Sequence, residues 1–342
     1  MTVFGYDWYI GDHESIEGVN LKKVSGSRNH LFEMPSHMYN SVRQVLRNRD
    51  SYDVVHIHSV DPCLFAQTLK GKIPIVATSH GRAYRLPGTG FLKRSMSKFA
   101  ESVFLKISEE ITCVSPADKA YYNCIGCNKM QYIPNGLPDI SFSADDLPKN
   151  LPIVPFEYIL FSAGRIIPCK GLDILLKAYA NLNLDIPLVI VGAPGGEDRY
   201  YKQMLQSVPN NVLLAGFLSG PELYSLYAQA KLAVFPSRTE AQSITLLEYI
   251  ALNVPFVYSD IEENKAIATG VGEPFVSEDH NSLANVLERL LCGKGRVQIP
   301  VDRDRLKVIS ETNNWDKSVV AYENCYTRIL NESKDSGSKK DD

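Results

Sequence analysis

Two glutamates frame the stretch RTEAQSITLLEYIALNVPFVYSD (238–260), Glu240 just ahead of an apolar helical run and Glu248 inside it. The first N–H groups of a helix lack intrahelical partners, and with the helix dipole they make an anion site. Thr239 or Glu240 itself is the expected cap of a helix opening near Ala241. The N–H groups of Gln242, Ser243, Ile244 and Thr245 are then the expected anion cradle. On one helix Glu248 would lie roughly 80° around and about 12 Å along from Glu240, so the two acids would meet different parts of one long ligand. Arg165 and Lys170 supply cations around a turn that follows a strand. A guanidinium fork and an ammonium point charge suit a diphosphate and stabilise it as a leaving group. The ligand implied is a nucleotide-sugar: sugar, diphosphate, then ribose and base.

Each residue also has an ordinary reading. Glu240 could be a helix-start acid favoured by the dipole, Glu248 half of a surface ion pair, and Arg165 and Lys170 plain turn residues. The ordered set carries the argument. VGAPGG (191–196) is a weak glycine signal without a G-x-G-x-x-G fingerprint, which disfavours a nicotinamide-dependent oxidoreductase. His56 and His58 flank Ile57 on a strand and so share a face, where they would support the sheet end. Cys124 and Cys127 form a lone C-x-x-C with no second pair nearby and read as ordinary thiols.

The positioning elements alternate between strand and helix. YDVVHIHS (52–59), IPIVATSHG (73–81), EITCVSP (110–116) and MQYIPNG (130–136) read as buried strands, with a helical pattern at 91–107. A proline-rich stretch without periodicity follows. Alternation then restarts with YILFSAGR (158–165), GLDILLKAYANL (171–182), PLVIVGAPGG (187–196), VLLAGFL (212–218), KLAVFPS (231–237) and PFVYSD (255–260). This predicts an α/β protein of two doubly wound parallel-sheet domains with ligands at the strand carboxyl ends. The expected division is a first domain over 1–138, a linker over 139–156, a second domain over 157–313, a final helix over 314–331 and an unfolded polar tail over 332–342.

Bulk composition agrees. The 342 residues fit two ordinary domains, 44% are hydrophobic, and the net charge of −3 gives no reason to expect nucleic acid. The charge is uneven: residues 1–150 carry 17 Lys and Arg against 15 Asp and Glu, and the remainder 19 against 24. Seven scattered cysteines and no signal-like start read as reduced thiols in the cytoplasm. No apolar run approaches the roughly 20 residues of a membrane span.

SAGRIIPCKGLDILLKAY, PLVIVGAPGG and the run from NNVLLAGFL through NVPFVYSDI resemble the donor half of the retaining glycosyltransferases of family 4, whose fold is GT-B. DVVHIHS, VATSHGR and YIPNG resemble the first half in order. The likeness covers residues 1 to about 330, with Glu240 and Glu248 as its E-x7-E element. It implies that Arg165 and Lys170 bind the donor diphosphate with the backbone of Gln242, Ser243, Ile244 and Thr245. It implies further that Glu240 meets the donor sugar near its reacting carbon, His80 lies beside that sugar, Glu248 holds the ribose, and Phe217 and Leu218 border the base. The final helix would cross back to the first domain. Such proteins open with a strand, a glycine-rich loop and a helix ahead of the segment matched by MTVFGYDW, and this unit is missing from the match, so the first sheet is expected to lack a central strand.

The function expected is sugar transfer with retention from a nucleotide-diphosphate sugar, UDP slightly ahead of GDP, without a metal or other cofactor. The acceptor expected is a lipid-linked saccharide of bacterial surface polysaccharide assembly. The alternative is a non-catalytic sugar-nucleotide-binding remnant. Residues 82–106 hold Arg82, Arg85, Lys93, Arg94, Lys98 and Lys106 against Glu101, interleaved with Phe91, Leu92, Met96 and Phe99. That pattern suits an anionic membrane surface, although a core helix with a solvated face is the plainer reading.

Overall fold

The computed structural model describes residues 1–338 apart from 30–31, 87, 183, 195–198, 207 and 210. Its strands in chain order are β1 (Thr2–Tyr6), β2 (Ser15–Ile16), β3 (Val19–Val24), β4 (Val55–His58), β5 (Ile75–Ser79), β6 (Glu110–Cys113), β7 (Met130–Tyr132), β8 (Ile159–Ile166), β9 (Leu188–Pro194), β10 (Val212–Gly216), β11 (Leu232–Phe235), β12 (Phe256–Ser259) and β13 (Glu273–Phe275).

The second domain is one parallel sheet in the order β10-β9-β8-β11-β12-β13. Its central strands are continuous apolar runs because helices cover both faces. One face packs around Phe161, Leu175, Ile190 and Val234, the other around Tyr158, Tyr227, Leu247 and Tyr249. Successive strands leave β8 in opposite directions, to β9 on one side and β11 on the other. The crevice between the carboxyl ends of β8 and β11 is therefore the topological switch point, where such sheets bind ligands.

The first domain is built from two separate sheets. β4-β5-β6-β7 is parallel, with β5 wholly buried, and β1-β3-β2 stands apart. β1 pairs only with β3, and β4 only with β5, among the described residues. Side chains join the two pieces: Phe4 meets Tyr52 edge-on at 6.1 Å, and Lys22 Nζ donates to the Tyr52 hydroxyl at 3.0 Å.

The last helix, Trp315–Ser338, lies against the first domain. Ser318 Oγ donates to the Pro134 carbonyl at 2.7 Å, and Arg328 Nε meets Glu110 at 2.8 Å. It runs past 331, where the sequence reading had placed an unfolded tail. The polar residues there continue the i→i−4 backbone ladder of an established helix, which adds a bond for each residue fixed. Residues 339–342 of that expected tail lie outside the described residues.

Gly136 marks where the chain leaves the first domain beneath this helix. A Cβ there would meet the Trp315 ring at 2.4 Å and the Trp315 backbone nitrogen at 2.5 Å. Gly136→Ala is expected to lower stability by about 1–3 kcal/mol, the usual cost of overpacking, read as a lower urea midpoint with unchanged slope.

Candidate active site

The loops after β8 and β11 are fastened to each other. Gly171 has φ of 70° and rests on the Pro236 carbonyl, which a Cβ would approach to 2.0 Å. Arg238 completes the fastening. Its backbone N–H donates to the Cys169 carbonyl at 2.8 Å, Nη1 donates to the Pro168 carbonyl at 2.6 Å, and its fork grips Asp173 at 2.8 and 2.7 Å. Burial alone would raise the Asp173 pKa, but hydrogen bonds from Arg238 and Tyr200 hold it below its ordinary value. The result is a contact between two residues singled out from sequence: Lys170 Nζ lies 2.6 Å from Glu240 Oε1, with side chains 26% and 10% exposed. Arg165 is exposed and makes no ion pair among the described residues. It lies within β8, opposite Ala193 after a register shift, because the strand continues to Ile166 rather than turning at 165.

The helix beyond Glu240 begins later than its sequence suggested. It spans Ile244–Ala251, and its cap is Ser243, whose hydroxyl accepts from the Leu246 N–H at 3.2 Å. Neither Thr239 nor Glu240 caps it, so Glu240 belongs to the preceding loop and the helical-wheel relation to Glu248 does not apply. The Gln242 side chain reaches the first domain, where its Oε1 accepts from the Asn135 N–H at 2.6 Å, which leaves its backbone N–H with the helix entrance. Ser243, Ile244 and Thr245 form the helix entrance, with Ile244 exposed and Thr245 half-buried.

Glu248 opens into a cavity of about 290 Å³ that also takes in Gly164, Phe217, Leu218, Tyr224 and Thr245. The structure thus brings together the proposed ribose and base contacts, and joins them to the helix entrance. Burial raises the Glu248 carboxyl to about 7. Gly192, at the carboxyl end of β9, lines the same cavity, while Gly195 and Gly196 lie outside the described residues.

The first domain contributes histidines from the ends of β4 and β5. His80 Nε2 lies 3.0 Å from His58 Nδ1, and His58 stacks on His56 at 4.2 Å. His56 in turn bonds the Thr78 hydroxyl and the Tyr326 hydroxyl, both at 2.7 Å. Desolvation and neighbouring imidazoles pull His56 down to about 3 and His80 to about 4. The trio is therefore neutral at pH 7, and His80 offers the cleft a hydrogen bond rather than a charge. Ser59, next to His58, has φ of 82°, a conformation uncommon outside glycine and found at functional turns.

Sequence reading missed Arg238 as the fastener of both loops and Tyr326 as the partner of His56. Arg238 is two residues from Glu240, a usable signal, but its partner Asp173 is 65 residues away. Among the described residues no group of three or more His, Cys, Asp or Glu is arranged to hold a metal ion.

Glu248 predicts a pH response of defined sign. Its folded pKa is raised, so its contribution to stability is complete below the ordinary carboxylate value and is lost as pH rises through about 7. Glu248→Gln should therefore raise the melting temperature more at pH 8 than at pH 5. On the expectation that ionised Glu248 accepts hydrogen bonds from a ribose, UDP-glucose, whose phosphates do not titrate in this range, should bind more tightly to the native chain at pH 8 than at pH 6, and calorimetry of the Gln variant should show little such dependence.

Comparison with known proteins gives the arrangement its relatives. A family model described as Glycosyltransferase Family 4 matches residues 2–139, and one described as Glycosyl transferases group 1 matches residues 143–301. The alpha-galactosylglucosyldiacylglycerol synthase of Streptococcus pneumoniae is 26% identical over 64% of this chain, and the match spans 63% of that protein's length. The sucrose-phosphate synthase of Thermosynechococcus elongatus superimposes with a TM-score of 0.78 at 19% identity, covering 97% of this chain and 89% of that one. Anabaena HepE, solved with UDP and glucose, superimposes with a TM-score of 0.63 at 16% identity, covering 94% and 86%. With one model on each half and two Rossmann-like domains in the GT-B arrangement, the chain belongs to the group 1 glycosyltransferases of family 4.

Proposed function

We propose that the protein transfers a sugar, with retention, from a nucleotide-diphosphate sugar to a lipid-linked saccharide in the assembly of a bacterial surface polysaccharide. The observation that carries this reading is the Lys170–Glu240 contact at the switch point, beside a cavity of nucleoside size that holds Glu248. The bond that breaks joins the anomeric carbon to a phosphate oxygen. Arg165, Lys170 and the helix entrance at Ser243–Thr245 take up charge on the departing diphosphate. Glu240 faces the positive charge that develops on the sugar ring, and His80 donates to a sugar hydroxyl. The acceptor oxygen bonds to the anomeric carbon, and its proton passes to the departing phosphate oxygen, so no separate strong base is needed. Two protein cations meet the diphosphate charge, which makes the reaction metal-independent on this reading. UDP-sugars are the first donors to test, ahead of GDP-sugars, since a structural neighbour is solved with UDP and glucose.

A second reading, nucleotide-sugar binding without transfer, draws on the divided first sheet, in which β1 pairs only with β3 and β4 only with β5 among the described residues. Turnover separates the two. A panel of UDP-, GDP-, ADP- and TDP-sugars in excess EDTA should yield at least one donor that is hydrolysed or transferred. Glu240→Gln and Lys170→Ala should each slow that reaction by about 100-fold or more. Donor binding with no turnover would favour the second reading, and collapse of the rate in EDTA would refute metal independence.

The acceptor side carries the membrane proposal. On the helix Phe91–Ile107, Phe91, Leu92, Met96 and Phe99 are exposed at 88, 73, 54 and 61%. Lys93, Arg94 and Lys98 are exposed on the same stretch of helix, and Lys106 is exposed near its end. Arg82 and Arg85, counted with these cations from sequence, are engaged with Asp118 and Glu263. No described helix is long and apolar enough to cross a membrane. An apolar patch with cations on the same helix fits the cytoplasmic surface of an anionic inner membrane, with the protein held peripherally. The chain should float with phosphatidylglycerol vesicles, less so at high salt, and Phe91→Ser/Phe99→Ser should weaken flotation by roughly tenfold. Equal flotation of the variant would end this part.

A further inference from the structure

Between His80 and the basic helix the chain runs along the boundary of the two domains. Gly81, at φ of 99°, lies against Ala241, and a Cβ on it would come within 3.1 Å of the Ala241 Cβ. This contact sets His80 and Glu240 side by side in sequence terms: each is the residue immediately before a member of the touching pair. Four residues past Gly81, Arg85 Nη1 donates to Glu263 Oε1 at 2.6 Å. Glu263 stands on the helix Glu262–Ala268 of the second domain and is 4% exposed. A carboxylate that buried is costly without its cation.

The pair is joined on both sides to the residues of the reaction. Behind Glu263, the buried Asn264 amide donates to the Ser259 carbonyl at 3.1 Å and to Ser259 Oγ at 3.0 Å. Ser259 Oγ donates to the Ser237 carbonyl at 2.5 Å, at the root of the loop that holds Glu240. On the other side, Arg82 Nε donates to Asp118 at 2.9 Å and its guanidinium lies 4.0 Å above the Tyr121 ring, which fixes the His80–Arg85 segment to the first domain. A short rigid path therefore leads from each domain to one interdomain ion pair.

We propose that the Arg85–Glu263 ion pair is the positioning contact that holds the His80 end of the first domain against the Glu240 loop of the second, and so sets the closed arrangement in which transfer occurs. The proposal rests on the glycosyl-transfer reading of the site. Neither residue lines the nucleoside cavity, which is formed by the second domain alone. Nucleotide binding and turnover should therefore respond differently to loss of the pair.

The test uses Arg85→Met, Glu263→Gln and the double variant on the full chain. UDP affinity by calorimetry should stay within about twofold of the native value, while turnover of the best nucleotide-sugar of the panel falls by about tenfold or more in kcat. The double variant should be no worse than the more damaged single one, because both changes remove the same contact. Solution scattering with UDP present should give a larger radius of gyration for both single variants than for the native chain. Unchanged kcat or unchanged radius in Glu263→Gln, the near-isosteric change, would overturn the proposal, as would loss of UDP affinity in step with kcat. A native chain inactive on every nucleotide-sugar would instead remove the transfer reading, and the scattering comparison would still judge the interdomain contact.

Discussion

An ammonium and a carboxylate held 2.6 Å apart at the switch point organise the donor side of this protein. Two such charges in a partly dry crevice are stable together, and either is costly if left alone. Their separation depends on the loops that carry them, so those loops must not drift. The Gly171–Pro236 contact and the Arg238 fork supply that rigidity, and the parallel sheet beneath fixes the ends of β8 and β11. On the proposed reading, a diphosphate entering the crevice would compete with Glu240 for Lys170. This exchange would free the carboxylate to face the sugar at the moment the cation moves to the leaving group.

The first domain supplies neutral polar groups to the same cleft. Burial, with a smaller contribution from neighbouring imidazoles at His56 and His80, disfavours protonation of the three rings, and the bonds of His56 to Thr78 and Tyr326 fix the innermost ring. The last helix thus reaches from the end of the chain to the wall of the site. Among the described residues, Phe4, Lys22 and Tyr52 pack the β1-β3-β2 sheet against the rest of the first domain.

Much of the second domain was legible in its sequence because parallel strands buried on both faces leave continuous apolar runs, and the acids and cations follow them at fixed offsets. Finer points were not. TEAQS offers several capping residues, and local preference cannot rank Thr239, Glu240 and Ser243; in the folded protein Ser243 is the cap. The bond from the Asn135 N–H to the Gln242 side chain, across 107 residues, was not visible in the sequence either. Arg82 and Arg85 read as free surface charge because their partners Asp118 and Glu263 are remote in sequence. The histidine alternation was visible, but the bond from His56 to Tyr326 spans 270 residues. Local patterns report faces and offsets; long-range pairings depend on the assembled fold.

A structure of the protein with UDP is the most direct test of where a nucleoside diphosphate binds. The ribose is expected on Glu248, the base along Phe217 and Leu218, and the diphosphate between Arg165 and Lys170, with Lys170 Nζ moved from Glu240 to a phosphate oxygen. UDP bound away from this crevice, or bound there with the Lys170–Glu240 pair intact and no contact from either cation, would contradict this placement.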